Sequence, residues 1–461
     1  MKYLTADFGS TYTKLTAIDS DTATVLGTSL AFTTIETNVI EGFRLAMSRL
    51  EAKIGPFRYD KLLCCSSAAG GLKMVALGLV PELTAKAARM AASSAGAKVI
   101  KTYSFEISKS EEEEIYQINP DLVLLCGGTD GGNKEVIISN AKRLCGINRD
   151  FSIIAAGNKS ATDELEAIFS KSNKNWVITK NVMPEFNKIN IEPAKESIKD
   201  LFISRIIEAK GLSAIQQMSG YQIIPTPLAV FNGCELLSKG TKNEAGIGDL
   251  MAVDLGGATT DVYSMASGAP NVDNVMVKGL PEPYSKRTVE GDLGMRYSLP
   301  SLFDEVGIDA LAQESGLAED DIKAWVEACI ANPDIIAEEG STQQRIEELF
   351  ARNAVRIAVE RHCGEYQSVF TTNGQLFTLV GKDLSTVPYV VGIGGAIINN
   401  AHPLAILEGA KNRGVSVVLP TKPNSPKYLL DKKYIFASMG LLSAIDPDMA
   451  LKIMKKEITQ I

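Results

Sequence analysis

Leu250-Met-Ala-Val-Asp254-Leu-Gly256-Gly257-Ala258-Thr259-Thr260-Asp261 is an apolar run that ends on an aspartate, turns through glycine and leaves through hydroxyl-bearing residues. The chain opens on the same pattern, Tyr3-Leu-Thr-Ala-Asp7-Phe-Gly9-Ser10-Thr11-Tyr-Thr13-Lys14. A third apolar run closes on glycines without the aspartate, Tyr389-Val-Val-Gly392-Ile-Gly394-Gly395-Ala396. Each reads as a strand entering a tight turn. Phosphate oxygens are held well by converging backbone N–H groups, and glycine permits that close approach. Together the three turns describe a divided nucleotide site. Two Asp-x-Gly hairpins would face each other across a phosphate tail, with the third turn under the base and ribose.

In this reading Gly9, Ser10, Thr11 and Thr13 supply the first set of phosphate contacts, and Lys14 adds a point charge. Gly256, Gly257, Ala258, Thr259 and Thr260 supply the second set, and Gly392, Gly394 and Gly395 carry the nucleoside. Asp7 and Asp254 stand at strand ends, where carboxylates suit Mg²⁺ held mostly through its waters. One of them, with Asp254 favoured, would also orient a hydrolytic water. Taken singly, each aspartate reads equally well as the cap of its own turn. Other nucleotide motifs are missing. There is no G-x-x-x-x-G-K-[ST] loop. Gly392-Ile-Gly394-Gly395 lacks the last glycine of a dinucleotide fingerprint and is not the first strand–helix turn.

Composition limits the class. A chain of 461 residues suits two or three domains. With 45% hydrophobic and 22% charged residues it reads as a soluble globular protein. A net charge of −8 argues against a nucleic-acid partner, which would call for a basic face. The first strand begins almost at Met1, which leaves no room for a signal peptide, and no apolar run approaches membrane-spanning length. Seven cysteines without CxxC spacing read as reduced cytoplasmic thiols, the adjacent Cys64 and Cys65 as strand residues. Two histidines, His362 and His402, leave little for zinc chemistry or a Ser-His-Asp triad.

The N-terminal stretch predicts a meander over Lys2–Asp7, Thr13–Asp19 and Ala23–Thr33, then a helix over Ile40–Lys53. Runs at Lys61–Cys65, Lys98–Ile100, Asp121–Leu125, Ser152–Ala156 and Trp176–Thr179 alternate with helical stretches, which predicts a parallel sheet covered by helices. Within this block, Cys126-Gly-Gly-Thr-Asp130-Gly-Gly-Asn133 reads either as a second ligand or partner site at a strand end or as a tight glycine turn. Glu111–Glu114 reads as a solvated helix face. Pro225-Thr-Pro227 begins a helix just before the second hairpin. Residues 300–365 read as all-helical, strands return at Phe377–Val380 and Tyr389–Ile393, and Asp431–Lys456 is helical with a break near Asp446-Pro447.

The order of the three turns resembles the actin, Hsp70 and sugar-kinase superfamily of ATPases, whose phosphate 1, phosphate 2 and adenosine motifs they match. Pro225–Gly233 is similar to its first connecting helix, and Glu290-Gly-Asp292 more loosely to its acidic stretch after phosphate 2. A closer likeness covers nearly the whole chain. Ser66-Ser-Ala-Ala-Gly-Gly-Leu-Lys73, Gly78-Leu-Val-Pro-Glu-Leu-Thr84, Gly127-Gly-Thr-Asp-Gly-Gly132, Glu290-Gly-Asp-Leu-Gly-Met-Arg296 and Gly381-Lys-Asp-Leu384 resemble the glutamate mutase (methylaspartate mutase) accessory protein family. The resemblance implies an α/β fold: two actin-like, ribonuclease H-like lobes around a nucleotide cleft, with an inserted βα subdomain and a helical subdomain. Residues 1–60 would begin lobe I, 61–190 form the insert and 191–245 return to lobe I. Residues 246–299 would begin lobe II, 300–370 form the helical subdomain and 371–461 complete lobe II.

The implied activity is an ATP- and Mg²⁺-dependent reactivating factor for an adenosylcobalamin-dependent mutase. Asp7 and Asp254 would be the catalytic and metal-binding residues, and Glu290 would join the cofactor contacts. Such a factor would use ATP to loosen the mutase and release damaged cobalamin without carrying cobalamin itself. The chain accordingly lacks an Asp-x-His-x-x-Gly motif. The adenosine turn has Ile393 where relatives often have Thr. Two alternatives stay open: a small-molecule kinase with Glu290 or Asp292 as base, and an actin-like filament protein. Arg296 reads either as a phosphate or partner contact or as a salt bridge to a nearby acid, and Lys382-Asp383 as a structural pair at a strand end.

Overall fold

The computed structural model describes the chain apart from residues 10–11, 34–38, 68–72, 211, 372–373 and 415–419, and apart from the side chains of 202–210, 371, 374 and 375. It divides into two compact units. One is Met1–Gly233 with Gly279–Pro281 and Ala437–Ile453; the other is Cys234–Lys278 with Glu282–Phe436 and Met454–Ile461.

The first unit begins with an antiparallel meander, β1 (Lys2–Phe8), β2 (Tyr12–Asp19) and β3 (Thr24–Phe32). The helix Val39–Ile54 follows and buries Val39, Phe43, Ala46 and Leu50, one face at helical spacing. β4 (Lys61–Ser66) then pairs parallel to β1, from Tyr3↔Lys61 to Phe8↔Ser66. The sequence pattern groups Lys61–Cys65 with the alternating block instead. Leu62–Cys65 is a continuous buried run, and such a run fits the middle of either sheet.

The alternating block itself is a second sheet of β5 (Lys73–Gly78), β6 (Lys98–Ser104), β7 (Leu122–Leu125), β8 (Ser152–Ala155) and β9 (Trp176–Ile178). All are parallel, in the order β6-β5-β7-β8-β9. β5 is a strand that the sequence pattern did not separate. The sheet is wound on both faces. Val75, Leu77, Val123, Leu125 and Ile153 pack with Ile115, Ile137, Leu144 and Leu165 from three helices. Met74, Ala76, Leu122, Leu124 and Ile154 share a core with the alanine-rich helix Lys86–Ser94 and with the first sheet. The helix Glu192–Lys210 leads back to β10 (Ile224–Pro225), which lies parallel beside β4. The order of the first sheet is thus β10-β4-β1-β2-β3, with Pro225 on an edge strand where a missing N–H is tolerated.

The second unit repeats this plan. β11 (Leu250–Leu255) and β12 (Thr260–Met265) form a hairpin. After the short β13 (Val275–Lys278), β14 (Ser285–Glu290) pairs antiparallel with β12. Four helices then fill Leu299–His362, with Trp325, Leu349, Phe350 and Val355 in the core. β15 (Glu365–Thr371) and β16 (Gly374–Val380) join β13 in a small separate sheet. β17 (Tyr389–Ile393) and β18 (Lys427–Leu430) extend β11 in parallel, and β19 (Thr459–Gln460) closes the edge. The order β14-β12-β11-β17-β18 matches β3-β2-β1-β4-β10 strand for strand. Each unit is therefore a ribonuclease H-like lobe of the actin-like type, the mixed α/β class expected. No helix among the described residues is long and apolar enough to cross a membrane.

The first sheet is completed from the far end of the chain. Thr5 Oγ1 donates to Ser438 Oγ at 2.8 Å, and Ser438 Oγ to Thr16 Oγ1 at 3.1 Å, all three buried. Replacing Ser438 by Ala leaves two buried hydroxyls short of a partner and should destabilise the protein by about 1–3 kcal/mol. Chemical denaturation checks this; an unchanged midpoint contradicts it.

Candidate functional site

The first Asp-x-Gly hairpin is held from below. Asp7 is the penultimate residue of β1, opposite Lys14 on β2 and Cys65 on β4. Its Oδ1 accepts from Thr226 Oγ1 at 2.6 Å and from Cys65 Sγ at 3.5 Å, and its Oδ2 lies 3.9 Å from Lys14 Nζ. Thr226 stands at the start of the helix Thr226–Lys239, immediately after β10. Burial, then the charge of Asp7, pushes the Cys65 thiol well up. Cys65 is therefore a neutral donor beneath the carboxylate, and the strand reading of Cys64 and Cys65 holds. Gly9 N–H closes the turn on Tyr12 O at 3.0 Å. Ser10 and Thr11 lie outside the described residues.

The second hairpin is pinned by its carbonyls. Gly256 N–H donates to Thr259 O, while Gly256 O accepts from Met295 N–H and Gly257 O from the N–H groups of Arg296 and Tyr297. Ser298 Oγ donates to Ala258 O at 2.7 Å. The N–H groups of Gly257 and Ala258 make no hydrogen bond among the described residues. The turn thus presents donors and hides acceptors, the polarity an anion requires.

The third turn is built against the second hairpin. β17 runs parallel to β11 with Asp254 opposite Ile393. Gly394 has φ +88°, and a β-carbon there would sit 2.5 Å from both Asp254 Oδ1 and Leu255 O. Only glycine fits this left-handed position beside the carboxylate. A β-carbon on Gly395 would meet the Tyr434 hydroxyl at 2.7 Å. Burial, then the charge of Asp254, raises the Tyr434 phenol, so the ring stays neutral. Asp431 holds the turn before Phe436 by accepting from the N–H groups of Ile435 and Phe436.

Several residues proposed from sequence are engaged elsewhere. Thr13 is buried and its hydroxyl is bonded to Thr33 at 3.1 Å. Thr260 is also buried and donates to Leu293 O, fixing the 291–298 loop. Thr259 Oγ1 donates to Asp261. For Thr13 and Thr260 the hydroxyl is turned into the lobe, because a strand alternates its faces and the period alone does not say which face is up. Glu290 and Asp292 are both bound by Arg361 Nη1 at 2.8–2.9 Å, and Arg361 Nη2 holds Glu305. Arg296 pairs with Glu347 and donates to the carbonyls of Pro333 and Ile335, so it is a salt bridge to a nearby acid. Lys382 and Asp383 do not pair with each other. Lys382 donates to the carbonyls of Pro283 and Tyr284, and Asp383 accepts from Tyr366. Sequence reasoning missed Thr226, Cys65 and Tyr434 as supports. Thr226 alone had a signal, its place in Pro225-Thr-Pro227 before the second hairpin.

A family model described as MutL protein matches residues 3–458. Protein MutL from Clostridium tetanomorphum is 44% identical over 464 residues, spanning 100% of this chain and 99% of that one. The chain belongs to the MutL protein family. Among solved structures, nucleotide-free acetone carboxylase is similar with a TM-score of 0.42 at 13% identity, over 96% of this chain and 70% of that one. The activator of 2-hydroxyisocaproyl-CoA dehydratase from Clostridium difficile, with bound ADPNP, gives 0.33 at 10% identity, over 100% and 99%. Scores and identities this low say nothing about what this MutL-family chain does.

Gly394→Ala should lower stability by more than about 1 kcal/mol, because alanine must enter a left-handed conformation and meet Asp254. Thermal melting reads this directly; a variant melting like the parent would mean that the turn does not crowd Asp254.

Proposed function

We propose that this MutL-family protein is an ATP-dependent reactivating factor for an adenosylcobalamin-dependent mutase such as glutamate mutase. The observation that carries the ATP reading is the repeated arrangement itself. Each lobe ends its central strand on a carboxylate, Asp7 or Asp254, followed by a glycine turn, and the second turn offers the Gly257 and Ala258 N–H groups outward. The mutase reading rests on the stretches Gly78–Thr84, Glu290–Arg296 and Gly381–Leu384 together with membership of the MutL family.

In this function the Gly256–Thr259 turn binds phosphate oxygens, and Lys14 neutralises charge beside Asp7. Thr226 and Cys65 fix one oxygen of Asp7, which orients the other. Asp254, held against the third turn, is placed to orient the attacking water. Asp7 and Asp254, each at a strand end, are carboxylates suited to Mg²⁺ held through its waters, which would neutralise phosphate charge. No cluster of three His, Cys, Asp or Glu among the described residues offers a cation cage. Loss of γ-phosphate contacts gives ATP and ADP different affinities for two states of the protein, the condition for a nucleotide-driven switch. A small-molecule kinase using Glu290 or Asp292 as base is disfavoured, because Arg361 holds both carboxylates.

Asp7→Ala and Asp254→Ala should each lower Mg²⁺-dependent ATP hydrolysis by about a hundredfold or more with the circular dichroism spectrum unchanged. Unchanged hydrolysis in both removes the ATPase assignment. Thr226→Ala should lower the rate, and Thr226→Ser, which keeps the hydroxyl, should restore it. The partner is tested separately. A mutase inactivated by damaged cobalamin should regain activity with this protein, ATP and fresh adenosylcobalamin, and not with a non-hydrolysable analogue. Hydrolysis without recovery for every adenosylcobalamin mutase tried would overturn the reactivation reading and leave the ATPase.

A further inference from the structure

The glycine-rich turn 126–133 remains outside this function. It leaves β7 at the carboxyl end of the inserted parallel sheet, where open α/β sheets place ligands. Two buried asparagines knit it to the neighbouring loops. Asn158 Oδ1 accepts from Gly131 N–H at 3.0 Å, and Asn158 Nδ2 donates to Gly132 O at 2.9 Å. Asn181 Nδ2 donates to Gly128 O and to Asp130 Oδ1 at 3.1 and 2.9 Å. Lys159 N–H donates to the same Asp130 oxygen at 3.0 Å. The loops after β7, β8 and β9 are thus locked into one rim, which is more than a tight turn requires.

That rim encloses a cavity of about 280 Å³. The volume is close to the lower end of small-molecule sites, roughly 300–1,000 Å³. Its charged lining is Asp130, Lys159 and Lys180, and part of its wall is apolar, from Leu165, Ile178 and Pro184. Neither lysine has an ion-pair partner among the described residues, and the second oxygen of Asp130 has no partner there either. A simple anion entering this cavity meets Asp130, and a simple cation meets two ammonium groups. A molecule carrying both charges satisfies all three.

We propose that the cavity at the carboxyl ends of β7, β8 and β9 binds a small zwitterion of the amino-acid class. Its ammonium would lie at Asp130, its carboxylate at Lys159 and Lys180, and its side chain against Leu165, Ile178 and Pro184. The site uses no nucleotide chemistry and stands independently of the ATPase reading.

Isothermal titration of the whole protein with glycine, L-alanine, L-aspartate and L-glutamate tests it, with acetate, inorganic phosphate and methylamine as single-charge controls. At least one amino acid should bind with Kd of about 1 mM or tighter, and none of the controls as well. Asp130→Asn keeps the acceptor for Lys159 N–H and Asn181 but removes the charge. It and Lys180→Ala should each weaken binding by about tenfold or more. If Asp130→Asn fails to fold, Lys180→Ala, exposed at the rim, reads the site alone. Absence of binding by all four amino acids, or binding that neither substitution weakens, overturns the proposal. Phosphate or acetate binding that tightens in Asp130→Asn also overturns it, in favour of an anion site.

Discussion

Both lobes depend on placing a carboxylate at the end of a central strand, where it is only partly exposed. A charge in such a position is costly unless its oxygens are hydrogen-bonded. The surroundings of the two carboxylates differ. In the first, Asp7 takes donors from two neighbouring elements, Thr226 at a helix start and Cys65 on the adjoining parallel strand. In the second, the adjoining parallel strand closes on Asp254 as bare backbone, at Gly394. The same strand order therefore yields one carboxylate held by side chains and one crowded by a turn.

This difference explains how much was legible in the sequence. Asp-x-Gly after an apolar run is a local signal, so both hairpins and the third turn could be read from residue order, and the meander and the helical stretch after Pro300 followed from periodicity. Contacts that join distant segments carry no such signal. Nothing in Leu62–Cys65 announces that it pairs with β1 and not with β5, since a run buried on both faces looks alike in any parallel sheet. Threonines in a hairpin raise a related problem. Thr13 and Thr260 sit in hydroxyl-rich turns yet bond inward, to Thr33 and Leu293. Their direction is set by register, which composition does not contain. Arg361 lies 71 residues from Glu290, and its grip on three acids follows only from the packing of the helix Thr342–His362.

The insert shows how a sheet can be added with one of its two faces resting on an existing core. One face of it, covered by the alanines of Lys86–Ser94, shares the apolar cluster of the first sheet, and the other face packs with helices in a cluster of its own. Small side chains let the helix approach both layers closely. The carboxyl ends of its strands are left to loops, and there polar locking through Asn158 and Asn181 does what apolar packing does elsewhere. That division of labour puts rigidity under a rim that carries charges of both signs.

The hydroxyl chain through Thr5, Ser438 and Thr16 ties the beginning of the chain to its end. A ribosome makes residue 5 long before residue 438. At roughly 5–20 residues per second the delay is about 20–90 s. Throughout that interval the first meander exists without the segment that completes its core, and residues 437–453 belong to that same unit. The N-terminal lobe therefore cannot finish folding in the order in which it is translated. A premature stop anywhere before this segment releases both lobes incomplete, the first with the buried hydroxyls of Thr5 and Thr16 lacking Ser438.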